Sequence, residues 1–162
     1  MLDPQSPLSS YISDTQKSLI SAGYHLLEDA KNRHAPITLD YSYVVFPFAK
    51  AYEGFLKQFF ADLNLISQQQ YKSEHFRVGK VLSPNLQKRL GQQSVYRQLC
   101  EAQGRSFLAD ELWRVWKRGR NQVFHYFPHN VASLTIPEAE QIIKDIIAVM
   151  ELAVKETRYV FY

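Results

Sequence analysis

Between Lys117 and Phe127 the chain reads KRGRNQVFHYF, which places a guanidinium, a carboxamide and an imidazole close together as Arg120, Asn121 and His125. In a helix, Asn121 and His125 are four apart and share a face. Arg120 and His125 are five apart, roughly 140° around the axis at about 100° per residue. Arginine has the reach to bend back over the groove, and Gly119 beside it is expected to leave the approach open. The set offers a cation for a phosphate, an amide to orient, and a ring to move a proton.

That inventory suits RNA cleavage without a metal. A ribose 2′-hydroxyl attacks its own phosphate once a base removes its proton and the departing 5′-oxygen receives one. Histidine, with a reference value near 6.5, serves as either base or acid at neutral pH. A bidentate arginine stabilises the charge that grows on the phosphate oxygens. DNA lacks the 2′-hydroxyl and would be spared. The competing reading is a structural histidine satisfied by its neighbours, with Phe124 and Phe127 packed in the core.

A second pair lies in YVVFPFAKAYEGFLKQFFADL, a segment apolar on nearly all sides and expected to be the central helix. Lys50 and Glu53 stand one turn apart in it and can point into one cleft. A surface ion pair between them, worth little, is the plainer explanation. From Leu112 through Pro137 there is no Asp or Glu, whereas Arg114, Lys117, Arg118 and Arg120 all fall there. This bias suits a phosphate-facing surface, or simply a solvated basic face. The candidate catalytic residues are therefore Arg120, His125, Asn121 and Glu53. The candidate substrate contacts are Lys50, Lys117, Arg118 and Tyr126.

The elements that must position these groups read as helices. Ser6 and Pro7 open the first, and Leu8, Ile12, Thr15, Leu19, Ala22, Leu26 and Ala30 form its apolar stripe. Pro47 should kink the central helix or mark its true start. Ser67 to Ser83 is polar and irregular, with FRVGKVL as a short extended piece. Ser83-Pro84 opens another helix that Gly91 interrupts, and SVYRQLCEAQ forms a further one ended by Gly104. Ser106 caps a helix running to Pro128, with Leu108, Leu112, Val115 or Trp116, Val123 and Phe127 inward. Thr135 and Glu138 form a capping box around Pro137 for the last helix, whose stripe is Ile142, Ile143, Ile146, Ile147, Met150 and Val154. The sum is an all-α bundle of about five helices, one domain over residues 1–162.

Bulk properties agree. A chain of 162 residues with 46% hydrophobic residues buries one substantial core, and a net charge of +3 does not by itself announce a nucleic-acid binder. The lone Cys100 excludes an intramolecular disulfide and a Cys-rich zinc site, and is expected to be a small buried hydrophobe in a reducing compartment. His25, His34 and His75 lack metal-ligand spacing, and His129 is expected in a loop, so neither metal nor cofactor is expected. No secretory leader is visible and no apolar run approaches the roughly 20 residues that span a bilayer, so a cytoplasmic, soluble chain is expected.

Arg120-Asn121-Gln122-Val123-Phe124-His125 resembles the Arg-polar-x(3)-His motif of HEPN domains. These are all-α bundles, many of them metal-independent endoribonucleases of toxin–antitoxin, CRISPR and antiviral systems. Within them the chain most resembles the HEPN domain of the RnlA/LsoA (ribonuclease LS) toxins. In those, a basic residue and a Glu three positions later join the Arg and His. Lys50 and Glu53 fit that spacing, with lysine in place of arginine and so a point charge in place of a planar fork. In a related branch that pairs with nucleotidyltransferases a Tyr stands two residues after the His, where this chain has Phe127. The resemblance implies an RNA-cleaving toxin of a toxin–antitoxin or phage-defence module, with Glu53 tuning His125. It also implies an antitoxin partner and a homodimer in which each chain supplies half the site, Phe124, Tyr126, Phe127 and Trp113 being available for the seam. The alternatives are a non-catalytic HEPN module that binds RNA, a nucleotide or a protein, and a helical interaction domain in which the motif is accidental. The toxins carry N-terminal domains without a counterpart here, so a stand-alone relative and a piece of a larger protein both remain open.

Overall fold

The computed structural model describes residues 2–32, 40–125 and 133–157, and among these it is all α-helical, with no strand. Five helices of nine residues or more make the bundle: α2 (Asp14–Asn32), α3 (Ser42–Asp62), α7 (Val95–Gln103), α8 (Phe107–Trp116) and α9 (Ile136–Glu156). Shorter turns α1 (Pro7–Tyr11), α4 (Gln68–Lys72), α5 (Val78–Val81) and α6 (Gln87–Leu90) connect them. No helix among the described residues is long and apolar enough to cross a membrane.

The centre is α3. Val44, Val45, Phe48, Ala51, Tyr52, Phe55, Leu56, Phe59 and Phe60 are fully buried, as expected for a helix with α2 on one side and α9 on another. Each large apolar side chain so buried stabilises the fold by about 1.5–3 kcal/mol. The Tyr52 hydroxyl donates to the Leu112 carbonyl at 2.9 Å and ties α3 to α8. Burial drives that phenol well above its ordinary pKa, so it stays a neutral donor. Pro47 lies inside α3 and does not mark its start. It has no N–H to offer the Tyr43 carbonyl, which lies in the first turn of α3.

The first helix departs from its expected form. Ser6 caps α1 through the Ser9 N–H and Pro7 follows, but Ile12 is extended and α2 starts afresh. Ser13 and Gln16 bond reciprocally: the Ser13 Oγ accepts from the Gln16 N–H, and the Gln16 Oε1 accepts from the Ser13 N–H. Restarting the helix shifts its phase by one residue. Gln16, Ile20, Gly23 and Leu27 are buried, while Thr15, Ala22 and Leu26 face outward.

FRVGKVL is not extended either. Its Val78–Val81 forms a helical turn whose Gly79 comes close to the Trp116 indole; a Cβ there would be 2.6 Å from Nε1. Tertiary packing has overridden the β-branched preference of the two valines. Gly91 and Gly104 sit at φ +54° and +64°, and Gly104 ends α7 as expected. The α8 segment begins at Phe107 without a side-chain cap from Ser106 and remains α-helical only to Trp116. From Lys117 to Gln122 it widens into a π-helical turn. The last helix carries the Thr135–Glu138 capping box and buries Ile142, Ile143, Ile146, Met150 and Val154.

Candidate functional site

The face that α3 turns away from the core is Phe46, Lys50, Glu53 and Lys57, at steps of four, three and four residues. The π turn lies across from it. Together they bound an open groove of about 460 Å³ lined by Phe46, Ala49, Lys50, Glu53, Arg120 and Phe124. Groups read separately in the sequence are brought together here from elements 67 residues apart.

Arg120 is the hinge of the arrangement. Its Nε donates to the Glu53 Oε2 at 3.4 Å, and its guanidinium carbon lies 5.4 Å from the Trp116 ring centroid. Trp116 is itself buried, with Gly79 close against its Nε1 side. Both side chains of the ion pair are at least a third exposed, at 40% and 33%. An ion pair so exposed contributes only about 0–1 kcal/mol to stability. Its effect is orientation. The contact is also long for a charged hydrogen bond, which closes at roughly 2.7–2.9 Å, and it engages Nε alone. The two terminal nitrogens have no hydrogen-bond partner among the described residues, and a planar pair of donors of this kind suits an oxyanion.

Lys50 does not pair with Glu53, contrary to the plainer sequence explanation. It is exposed at the groove and holds no ion pair among the described residues. Nor does Glu53 touch His125: its partner is Arg120. Asn121 is what meets the histidine, its Oδ1 lying 2.9 Å from the His125 Nε2. An amide oxygen can only accept, so the donor in this contact is Nε2. His125 is exposed and follows Phe124 in the chain, but it is not among the residues lining the groove. No hydrogen bond among the described residues joins the Arg120–Glu53 pair to the Asn121–His125 pair.

Gly119 plays a part other than the one expected. It is buried against α9, where a Cβ would lie 3.1 Å from the Ile146 Cδ1 and 3.2 Å from the Ile142 Cγ2. Its missing side chain lets the π turn seat on the last helix rather than opening the groove. The acid-free stretch is likewise less basic in space than in sequence. Arg114 binds Glu111 and Asp145, and Arg118 reaches Asp145 at 3.5 Å. The Glu111 carboxylate, with Asp145, raises the Arg114 pKa further above its ordinary value. Arg118 thus faces α9, Lys117 is exposed, and neither is among the described residues that line the groove.

Tyr126, Phe127, His34 and His129 lie outside the described residues. His25 and His75 are exposed, and no group of three His, Cys, Asp or Glu among the described residues is arranged to hold a metal ion. Cys100 is only partly buried; burial pushes its thiol pKa up. The residues missed by sequence reasoning are Phe46 and Trp116. Phe46 was findable: once 44, 45, 48, 52, 55 and 56 are assigned inward, 46 must share the outer face with 50 and 53. Trp116 was findable too, since it stands four residues before Arg120 and a helix sets residues so spaced on one face; it was read only as core.

Compared with protein-family models, with curated proteins and with solved structures, the chain matches none.

Proposed function

We propose that this groove cleaves single-stranded RNA without a metal, as the HEPN motif it resembles does, and that the chain acts as a toxin of a toxin–antitoxin or phage-defence module in the cytoplasm. The observation that carries the reading is the Arg120 guanidinium. It is stacked on Trp116 and tethered through Nε to Glu53, with its terminal nitrogens free at an open groove beside Lys50. A phosphodiester placed on that fork has its negative charge met by two cations against one carboxylate. The His125 ring, contacted at Nε2 by Asn121, removes the 2′-hydroxyl proton through Nδ1; the 2′-oxygen attacks phosphorus and the bond to the 5′-oxygen breaks. A second copy of the chain places another His125 across the groove, and its imidazolium protonates the leaving 5′-oxygen. The products are a 2′,3′-cyclic phosphate and a 5′-hydroxyl.

A DNA oligonucleotide carrying a single ribose, incubated with the purified chain in EDTA, tests this. The expected result is one cut, on the 3′ side of the ribose, with a cyclic phosphate end. Cutting of the all-DNA control, or cutting that stops with EDTA, contradicts it. A second reading, a module that binds RNA or a nucleotide without cleaving it, is favoured by the place of His125 outside the groove lining. It expects binding to fall in Arg120→Ala and to survive in His125→Ala, and no cut ends with either substrate.

A further inference from the structure

Two exposed aromatic side chains stand at one end of the groove, and the proposed chemistry uses neither. Phe46 is 52% exposed and Phe124 is 38% exposed. Their centroids are 5.5 Å apart and their planes meet at 87°. Two large apolar side chains left open side by side in a groove mark a contact surface for a ligand more than two scattered ones would. Lys50 follows Phe46 by one turn of α3, and Arg120 precedes Phe124 by one turn of the other wall. An aromatic surface directly beside a phosphate-gripping cation is the arrangement by which proteins hold single-stranded nucleic acid, stacking the base and pairing the backbone.

We infer that the Phe46–Phe124 corner is a subsite for one unpaired nucleobase, that of the nucleotide whose phosphate lies on Arg120 and Lys50. The inference rests on the ribonuclease reading for the location of that phosphate, though not for any cleavage. Perpendicular rings cannot both lie parallel to one planar ligand. The base therefore stacks face-on against one ring and meets the other at its edge, and a second base cannot be sandwiched there. Stacking is blind to base identity, so the subsite reads unpaired against paired rather than sequence. A base in a duplex has both faces covered and cannot enter. The net positive charge at the groove selects a polyanion over a purely apolar peptide or a second apolar face.

The test measures binding of the full chain to two uncleavable probes: a 2′-O-methyl uridine hexamer, and an abasic sugar–phosphate hexamer of equal charge. The wild type is expected to bind the uridine probe about tenfold more tightly. Phe46→Leu, at an exposed position and checked for unchanged helicity by circular dichroism, should erase that gap. Phe46→Trp should keep it. Lys50→Ala should weaken both probes alike. The inference is overturned if the wild type binds both probes equally or binds neither. A gap that survives in both Phe46→Leu and Phe124→Leu overturns it too. So does a Phe46→Leu variant that only shifts the sedimentation of the free protein, because the corner then covers a second copy. Cleavage of unmodified oligouridine is followed in parallel. A base-dependent gap without cutting sinks the nuclease reading and leaves the subsite standing, and cutting without a gap does the reverse.

Discussion

Arg120 is asked to do two things that a lysine cannot do together: keep Nε on Glu53 and present a planar fork. Arg120→Lys should therefore lower the RNA cleavage rate by about 10²-fold, as loss of one transition-state donor does. The same change should move the unfolding free energy by less than about 1 kcal/mol, because the ion pair is exposed. Rate and urea denaturation measured on one preparation separate the two effects, and a variant that unfolds early without a specific rate loss makes Arg120 structural. In the proposed reaction the part of Asn121 is to hold the His125 ring, the side chain it contacts. Asn121→Ala should reduce kcat about tenfold with KM unchanged, since a loose ring is a poorer base but the phosphate site is intact. The Asn121–His125 relation was legible as a spacing of four. Glu53 was legible as a candidate but not its partner: adjacency to Lys50 in sequence suggested one pair, and the fold made another with Arg120, 67 residues away.

Elements obey local rules where caps are strong and depart from them where packing decides. Ser6 with Pro7, Ser94 and the Thr135–Glu138 box each start a helix where their chemistry demands. The break before α2 was equally legible, because Ser13-Asp14-Thr15-Gln16 is a capping box; the longer apolar stripe hid it. The π turn was not legible, since an i→i+5 turn has no residue signature and here depends on Gly119 meeting Ile142 and Ile146. Two predictions belong at this scale. Gly23→Ala should destabilise the fold by about 1–3 kcal/mol through overpacking. Its Cβ would fall 2.4 Å from the ring of Phe48, which is fully buried and met edge-on by Tyr24. The gain in helix propensity, at most about 1 kcal/mol, is too small to offset this. Denaturant midpoints of the two proteins measure it. The second concerns acid. The Thr135 N–H and hydroxyl hold the Glu138 carboxylate below its ordinary range. A depressed carboxylate adds stability above its unfolded value, and that stability is lost as pH falls through the folded one. Wild type should melt above Glu138→Gln at neutral pH, and the gap should close in acid below about pH 4. A gap that is constant with pH contradicts this.

At the scale of the whole molecule the bundle is a rigid frame with one wall deliberately irregular. The buried face of α3 anchors Lys50 and Glu53, Tyr52 bonds α3 to α8, and α9 seats the π turn from behind. The groove thus inherits its shape from the core, and its exposed face can vary without unfolding the frame. A composite site that needs an imidazole from each copy predicts interference: His125→Ala chains mixed in excess with wild type should lower the cleavage rate below that of the same amount of wild type alone, and chains that act singly should show no such loss. The central claim is met most directly by one rate. Single-turnover cleavage of single-stranded RNA in EDTA is compared for the wild type and for His125→Ala of equal helicity. Removal of the proton-transferring ring should slow the reaction by at least about 10²-fold; an undiminished rate would show that His125 performs no chemistry.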